Sequence, residues 1–466
     1  MQTTRNSRCR VGRRPSALVG PALTALLTTA LLTSTALRSQ ESTDVKPIIP
    51  YPTETRTLAN GLTVIVMPMP SDGLVAFWSI VRTGSRDEYE PGRTGFAHFF
   101  EHMMFRGTER YPAEVYNRIL TTIGADANAY TTDDHTAYHI SMAAADLEQV
   151  MQLESDRFQR LAYAESAFQT EAGAVYGEYR KSRTDPEFVL YEELMATAFT
   201  HHPYGHTTLG FERDIAGMPL LYDYSRTFFS RYYRPENTVL FIAGDIVNAN
   251  VFALVDKYYG GWPRGYVPPR IPAEPEQQSE RRIDVSYDGQ TLPMLKLVYK
   301  LPVYDPADRT RVAADLFADL AFGETSGAYR RLVLEEQVVE YLDAGASYNR
   351  DPGLLEISTR VKDPAKVDHV LEVIDATVAE YRAAPPDAER LAALQRRLRY
   401  GFLMGLQTPD SVAQRVAQFI AVSGDLRGLD RLHATYAAIT PADVQAAAER
   451  YLRAERRTVG VLRARQ

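Results

Sequence analysis

Two apolar stretches near the start of the chain have the residue pattern of β-strands. They cover residues 62–67 and 75–81 and are rich in valine, isoleucine and aromatic side chains. The intervening residues 68–73 contain two prolines and a glycine, which break the pattern. This succession of strand-like and turn-like residues predicts a β-hairpin over residues 62–81.

Helical periodicity begins farther along the chain. Residues 113–123 predict one helix, and residues 145–183 predict two more, because their apolar residues recur every three or four positions. The polar residues 124–139 between them predict two short strands and a turn. Strands this polar are typical of the edge of a sheet rather than of its core.

The order of predicted elements recurs in the second half of the chain. Residues 263–281, rich in proline, glutamate and glutamine, predict an extended linker. Strand-like residues 283–287 and 294–299 then precede a helix over residues 309–322, which repeats the earlier strand, strand, helix order roughly 216 residues later. We therefore predict an α+β fold of two homologous halves, each a mostly antiparallel sheet packed with helices.

The C-terminal residues complete the second half. Their periodicity predicts helices over residues 364–382, 387–406, 409–422 and 441–452, and a closing strand over residues 458–462. The predicted divisions of the chain are a signal peptide (1–36), a polar lead-in (37–54), an N-terminal domain (55–262), the linker (263–281) and a C-terminal domain (282–466).

The first 36 residues have the features of a targeting segment. Five arginines between positions 5 and 14 precede an apolar stretch over residues 17–32, and small residues follow at Ser34 and Ala36. This order predicts a secretory signal peptide cleaved near Ala36, with a periplasmic or secreted product that has no stable membrane insertion. A mitochondrial transit peptide, with a matrix location, and an uncleaved anchor remain as alternatives.

Composition excludes some classes of function. The formal net charge of -7 argues against a general affinity for nucleic acid or anionic lipid. The single cysteine, Cys9, falls in the predicted signal peptide. A mature chain would have no thiol, so neither a disulfide nor a cysteine-ligated zinc contributes to its structure.

Residues 98–102 carry an HxxEH pattern inside an apolar run. If this segment is helical, His98 and His102 lie one turn apart on the same face, with Glu101 beside them. Two imidazoles at this spacing suit one Zn²⁺, and the adjacent carboxylate suits a general base. The alternative is a packed or exposed histidine pair next to an ordinary helical glutamate.

A catalytic zinc needs a third protein ligand from elsewhere in the chain. Glu171 and Glu178 are seven residues apart on the second helix predicted within residues 145–183, so they share a face. Either carboxylate is a candidate for the third ligand. The alternative for each is a solvated helical glutamate, which periodicity alone does not exclude.

The motifs together resemble the pitrilysin/insulinase family of zinc metallopeptidases, whose HxxEH inverts the zincin motif. The resemblance covers nearly the whole mature chain and is closest to the members of about half length, which include bacterial peptidases and the processing peptidase β subunit. It rests on residues 98–102, 105–108 and 128–133, the Glu171/Glu178 pair, and the later segments 202–205, 232–237 and 243–245.

The resemblance implies a role for each residue of the motif. His98 and His102 match the imidazole ligands of one Zn²⁺ per chain, and Glu178 matches the distal carboxylate ligand. Glu101 matches the general base, and Glu171 matches a second carboxylate that supports the catalytic site from behind the ligands. The implied fold is a pair of α/β-roll halves.

The implied substrate is a peptide or an unfolded segment. Asn128 and Ala129 match the strand edge on which substrates of the family lie. An extended peptide bound along such an edge is held mainly through backbone hydrogen bonds.

The second half departs from the family pattern. Residues 314–319, where the metal motif would recur, contain no histidine, so only one half binds metal. The family places an arginine and, seven positions later, a tyrosine on the half without metal; Tyr341 fits, but Leu334 stands at the arginine position. We therefore expect a heterodimer with a zinc-less paralogue in preference to a homodimer.

Two classes of function are consistent with these residues. The first is a zinc endopeptidase in which Glu101 activates water. The second is a non-catalytic structural or assembly subunit of the same fold, or a subunit that processes presequences in the mitochondrial manner. The complete HxxEH motif with Glu178 favours the enzyme, because an inactive scaffold has no physical need of all four residues.

Overall fold

Two mixed β-sheets form the framework of the protein. The structure is a computed structural model and describes residues 45–465, so the predicted signal peptide and Cys9 lie outside the described residues. The first sheet contains β1 (Glu54–Thr57), β2 (Thr63–Pro68), β3 (Leu74–Val81), β4 (Asp126–Thr131), β5 (Thr136–Ala143) and β6 (Thr238–Gly244). The second contains β7 (Arg281–Tyr287), β8 (Met294–Lys300), β9 (Val339–Ala346), β10 (Leu354–Val361) and β11 (Arg457–Ala464).

Helices connect and cover the strands. The first half contains α1 (Phe96–Met103), α2 (Ala113–Thr122), α3 (Leu147–Arg160), α4 (Glu165–Ser182), α5 (Pro186–Ala198), α6 (Glu212–Gly217), α7 (Tyr222–Tyr232) and α8 (Asn248–Tyr259). The second contains α9 (Arg309–Phe322), α10 (Gly327–Tyr329), a π-helical segment (Arg330–Glu335), α11 (Val367–Ala383), α12 (Ala388–Met404), α13 (Pro409–Ser423), α14 (Arg427–Ala438) and α15 (Pro441–Tyr451). Within residues 45–465, none of these helices has the length and apolar character needed to span a membrane.

The two sheets share one strand order. The first runs β1-β2-β6-β3-β5-β4 and the second runs β7-β11-β8-β10-β9. Apart from β1, each strand of the first sheet has a counterpart at the same place in the second. The single parallel pair of each sheet, β2 with β6 and β7 with β11, is also equivalent. The predicted α+β fold of two similar, mostly antiparallel halves is confirmed.

The hairpin predicted over residues 62–81 is wrong. β2 and β3 do not pair with each other, because β6 lies between them and pairs with both. All seven residues of β6 are buried, which favours a central place with a neighbour on each side. Turn residues between two strands cannot reveal a partner that arrives much later in the chain.

Several local predictions agree with the structure. α9 covers residues 309–322 as predicted, and β4 and β5 are the two strands predicted within residues 124–139. β4 is an edge strand, as its polarity indicated. The strand predicted over residues 458–462 is β11, but it lies inside the second sheet, between β7 and β8. Helix α14 was not predicted.

Each half covers the other half's sheet with a helix. α5 packs on β7, β8 and β11 of the second sheet, with Leu190 and Leu194 over Gly460. A Cβ atom on Gly460 would lie 3.0 Å from Leu190 Cδ1, so glycine at this position allows the close approach of the helix. In return, α13 packs on β3 and β6, where Ile420 and Trp78 share one buried cluster. The two halves therefore share their cores.

A buried polar contact also joins the halves. Asp134 accepts a hydrogen bond from Tyr204 Oη at 2.7 Å and another from Asn349 Nδ2 at 3.1 Å. Nearby, Asp351 accepts hydrogen bonds from Arg86 of the first half and pairs with His202 at 3.0 Å. These contacts fix the relative position of residues 349–351 and the first half.

The shared core makes a prediction about stability. Leu190 is fully buried between the halves, so Leu190→Ala should lower the free energy of unfolding by about 2–5 kcal/mol, through lost burial and a residual cavity. Urea denaturation of the full chain would measure the change. Leu220, which is 88% exposed, is the control, and Leu220→Ala should change stability by less than about 0.5 kcal/mol. Equal stability of the two variants would contradict the role assigned to α5.

Candidate active site

Helix α1, which carries the HxxEH residues, is anchored on its apolar face. Phe96, Phe99 and Phe100 are fully buried. Phe96 contacts the ring of Tyr224 at a centroid distance of 4.8 Å, and Phe99 contacts Phe168 of α4 at 5.0 Å. This aromatic packing sets the rotation of α1 about its axis. It leaves the motif residues on the face that meets α4.

The N-terminus of α1 is held by a buried carboxylate. Glu88 accepts hydrogen bonds from the backbone N–H groups of Gly95, at 2.7 Å, and Ala97, at 2.6 Å. Burial raises the pKa of Glu88, and these two donors oppose that shift. Gly95 has a φ of 91°, and a Cβ atom there would lie 2.6 Å from the Leu209 carbonyl oxygen, so the turn into α1 requires glycine.

Three predicted ligands converge between α1 and α4. The distance from His98 Nε2 to Glu178 Oε1 is 3.7 Å, and that from His102 Nε2 to Glu178 Oε2 is 3.5 Å. The ligand atoms of the three residues all lie within 4.8 Å of one another. In the part of the chain that the structure describes, no other group of histidine and carboxylate side chains has this geometry.

These distances fit a zinc ion. A tetrahedral zinc with ligands at about 2.0–2.2 Å places neighbouring ligand atoms about 3.4 Å apart. Burial lowers the pKa of His98 to about 3, so its imidazole is neutral and offers a lone pair at neutral pH. His98 Nδ1 is buried and has no hydrogen-bond partner within residues 45–465. The donor set, two imidazoles and a carboxylate, is one that catalytic zinc sites use.

Glu171 lies behind His102 rather than with the three ligands. Its Oε1 is 2.9 Å from His102 Nδ1, and its Oε2 accepts from Arg106 Nε at 2.6 Å. Burial favours the protonated form of Glu171, but the hydrogen bonds from His102 and Arg106 outweigh it and lower the pKa of the carboxyl. The hydrogen bond to Glu171 in turn raises the pKa of His102. The chain thus orients His102 with its Nε2 directed toward Glu178.

Glu101 is held on the same side of α1 as the two histidines. Its Oε2 accepts a hydrogen bond from Thr131 Oγ1 of β4 at 2.7 Å. Burial raises the pKa of Glu101, and the Thr131 hydrogen bond partly offsets that effect. A carboxylate with a raised pKa is suited to accepting and releasing a proton near neutral pH.

A cavity of about 350 Å³ opens beside Glu101 and His102. The residues that line it all belong to the first half, and they are Glu101, His102, Phe105, Arg106, Ala113, Asn117 and Glu171.

Leu334 of the second half stands at the position where the family has arginine. It lies in the π-helical segment and is 57% exposed, and the neighbouring Arg331 pairs with Glu336.

Asn128 and Ala129 lie on the edge strand β4, in register with His139 and Tyr138 of β5. Asn128 is exposed, and its own Oδ1 accepts from the Ala129 N–H at 2.9 Å. Thr131, two residues farther along β4, contacts Glu101. The strand edge and the HxxEH face are therefore adjacent, although the structure contains no peptide.

Three residues of the site were not predicted from the sequence. Arg106 lies four residues after His102, so helical spacing would have placed it near the ligands. Thr131 could be identified as a residue of the site only after the register of β4 in the sheet was known. Glu88 carries no local signal, because its backbone partners lie seven and nine residues ahead, beyond a turn.

Comparison with known families agrees with this arrangement. Residues 64–212 match the model of insulinase, peptidase family M16, and residues 221–398 match the model of the peptidase M16 inactive domain. The chain belongs to peptidase family M16. The resemblance to the pitrilysin/insulinase family is thus confirmed, with the metal motif in the region matched by the first model.

Relatives of similar length extend the M16 match over most of the chain. The zinc protease PqqE of Helicobacter pylori is 27% identical over 406 residues, which cover 86% of this chain and 90% of the relative. The mitochondrial-processing peptidase subunit beta of Lentinula edodes is 25% identical over 417 residues, covering 86% and 87%. The crystal structure of a protease from Helicobacter pylori superimposes with a TM-score of 0.83 at 26% identity, covering 89% of this chain and 99% of that one. The chain thus matches M16 relatives of about the same length over most of their residues.

The anchoring of α1 makes a second prediction. Glu88→Ala should lower the free energy of unfolding by about 1–3 kcal/mol, because it leaves two buried backbone donors without an acceptor. Chemical denaturation would measure the loss, and Glu109→Ala, at an exposed position near the same helix, should leave stability unchanged. A Glu88→Ala protein as stable as wild type would show that the free-energy cost of burying the carboxyl cancels the stabilisation from its two hydrogen bonds to α1.

Proposed function

We propose that this M16 protein is a zinc-dependent endopeptidase that hydrolyses peptides or unfolded segments. The observation that carries the proposal is the convergence of His98, His102 and Glu178 with Glu101 beside them. One Zn²⁺ held by these three ligands would supply Lewis acidity to the scissile carbonyl and acidify a water molecule.

Glu101 is the proposed proton carrier. Thr131 holds Oε2 of Glu101, which leaves Oε1 to take a proton from the attacking water and pass it to the leaving amine nitrogen. The raised pKa of Glu101 supports both transfers, since the carboxylate must gain a proton from water and then give it to the amine in each cycle. No covalent bond between substrate and enzyme is needed.

Glu171 is proposed to act through His102. It accepts the His102 Nδ1–H, which fixes the tautomer and leaves the Nε2 lone pair for the metal. Arg106 neutralises the second oxygen of Glu171, so the carboxylate stays ionised despite its burial. Glu171 is therefore a positioning residue rather than a third ligand, the role for which Glu178 is proposed.

Peptide substrates are proposed to lie along the edge of β4 at Asn128 and Ala129. A segment that adds to this edge as a strand would pass beside Thr131 and the carboxylate that Thr131 holds. Backbone hydrogen bonding of this kind tolerates many sequences. The adjacent cavity, lined by Phe105, Arg106 and Asn117, would receive one substrate side chain.

One alternative function has support from a relative. The likeness to a mitochondrial-processing peptidase subunit supports the alternative of a processing subunit that acts on presequences.

The cellular location is a separate proposal. The arginines before residue 36 fit either a signal peptide or a transit peptide, and we propose export to the periplasm because of the apolar stretch over residues 17–32.

We also propose the domain boundaries predicted from the sequence, with residues 263–281 as the linker between the two domains.

Metal content and peptide cleavage test the catalytic proposal together. Purified protein should contain about one zinc per chain, counted from one three-ligand site. Glu101→Gln should keep that zinc but cleave unfolded peptides about 10²–10⁴-fold more slowly, because the amide cannot carry the proton. Zinc by mass spectrometry and cleavage of a denatured protein would give the two readouts.

Two further variants separate the ligand from the positioning residue. Glu178→Gln should lose zinc, whereas Glu171→Gln should bind zinc about 10–100-fold more weakly while remaining folded. Zinc titration against a competing chelator would rank wild type, Glu171→Gln and Glu178→Gln in that order. Full zinc binding by Glu178→Gln would reject Glu178 as the third ligand.

The assembly proposal is a heterodimer with a zinc-less M16 paralogue, and a homodimer is the less favoured alternative. It rests on Leu334, which stands where an arginine is expected opposite the site. Co-expression with a paralogue that has arginine and tyrosine at these positions should give a 1:1 complex and raise peptide cleavage, measured by light scattering and turnover. Full activity of the purified chain as a homodimer would contradict the proposal.

A further inference from the structure

A second cavity, of about 320 Å³, lies where the first half, the linker and the second half meet. Phe199, just after α5, contributes from the first half, and Glu274 to Gln277 contribute from the linker. The second half contributes Lys300 at the end of β8 and Tyr451 at the end of α15. The residues that line this second cavity are distinct from those that line the cavity beside Glu101.

Lys300 is the unusual residue of this cavity. Its Nζ is buried and has no hydrogen-bond partner within residues 45–465. The ammonium lies 3.1 Å from the centroid of the Phe199 ring. An aromatic face attracts a cation, but it cannot satisfy the three donors of an ammonium group as oxygen atoms would.

The acidic neighbours of Lys300 are already engaged elsewhere. Glu274 accepts the backbone N–H groups of Thr200, His201 and His202 at 2.9–3.1 Å. Glu276 pairs with Arg456 at 2.7 Å. Both carboxylates therefore have other partners, although burial lowers the pKa of Lys300 and Glu274 is close enough to oppose that shift.

Other polar groups in the cavity also lack partners. Tyr451 Oη is buried without a hydrogen-bond partner in the described residues. Arg450, on the same helix, also lines the cavity, but it is exposed and its guanidinium is open to solvent. The cavity thus combines unused donors with a shortage of acceptors, which is the arrangement that an anionic ligand would complete.

The walls indicate what else the ligand contains. Apart from these donors, the lining is mainly apolar and includes Phe199, Pro275, Leu301, Pro302 and Pro352. A small inorganic anion would leave this surface unused. A phosphate dianion would require more buried donors than one ammonium and one phenol provide, because Arg450 is exposed and Arg456 is paired with Glu276. An apolar body carrying a single negative charge fits both features.

We propose that this cavity binds a small organic carboxylate, whose carboxylate group is held by Lys300 and whose apolar body packs against Phe199 and the proline-rich wall. The ligand is either a free aromatic or branched aliphatic acid or the C-terminal carboxylate of a peptide. The site joins the linker to both halves, so an occupied cavity would hold residues 274–277 in place.

Binding of a carboxylate has a measurable proton linkage. Burial lowers the pKa of Lys300 to about 7; the Glu274 carboxylate opposes that shift and the Arg281 guanidinium adds to it. A bound carboxylate stabilises the ammonium and raises this pKa again, so at about pH 8 the protein should take up close to one proton for each ligand bound. A ligand held only by the apolar walls would take up none.

Calorimetric titration of the full chain tests the site. The probes are 3-phenylpropionate, its uncharged amide, and a tripeptide ending in phenylalanine with either a free or an amidated C terminus. The carboxylate should bind, and the amide should bind about tenfold more weakly or worse. Titration in two buffers of different ionisation enthalpy would show the proton uptake. Binding of the free-terminus tripeptide in competition with 3-phenylpropionate identifies peptides as a source, and its failure leaves free acids.

Variants decide whether the cavity is responsible. Lys300→Met keeps the length of the side chain and should weaken carboxylate binding by about tenfold and abolish proton uptake. Lys362→Met, which removes the charge of an exposed lysine, should change neither quantity. Equal binding of acid and amide, unchanged binding by Lys300→Met, or no binding of 3-phenylpropionate at about 10 mM would each overturn the proposal. Because zinc content is not one of the readouts, failure here is distinguishable from failure of the peptidase proposal.

Discussion

The packing of α1 against α4 is the contact on which the rest of the site depends. Residues 98–102 and residues 171–178 come from separate helices, and their side chains meet across an interface at which Phe99 packs on Phe168. The same contact brings Glu178 to His98 and His102, and Glu171 to the far side of His102. A small rotation of either helix would separate these groups. The buried aromatic face and the Glu88 contact at the N-terminus of α1 therefore contribute to the chemistry as well as to stability.

The second constraint is the sharing of cores between the halves. Helices α5 and α13 follow equivalent strands and helices in their own halves, and each covers the sheet of the other half. Neither sheet would be covered on both faces without the other half, so the two cannot separate without exposing apolar surface. This exchange explains why a chain with an internal repeat forms one unit over the residues described. It also places the cavity around Lys300 at a junction of both halves and the linker.

The second half carries no counterpart of the HxxEH motif. The helix equivalent to α1 is α9, in which residues 314–319 contain no histidine, and Arg311 and Asp315 of the same helix form a buried ion pair at 2.8 Å. Both the duplicated strand order and the lack of this motif agree with membership of family M16, in which the second region matches an inactive-domain model. A protein of this kind can keep one half for catalysis and use the other as a wall and a partner surface.

Features that depend on local spacing were predictable from the sequence alone. The HxxEH helix, the bounds of α9, the polar edge strand β4 and each copy of the strand, strand, helix order follow from patterns within short segments of the chain. Glu171 and Glu178 could be placed on one helical face, but periodicity did not show that Glu178 is the proposed ligand and Glu171 the carboxylate proposed to lie behind it. The choice between them came first from the family resemblance, and the distances to His98 and His102 agree with it.

The long-range pairings became known only from the packed structure. β6 separates β2 from β3, β11 lies between β7 and β8, and Thr131 and Lys300 acquire their surroundings from distant segments. The physical reason is the same in each case. A buried strand or polar group takes the partner that best satisfies it, and that partner is chosen by the whole packed core rather than by neighbouring residues.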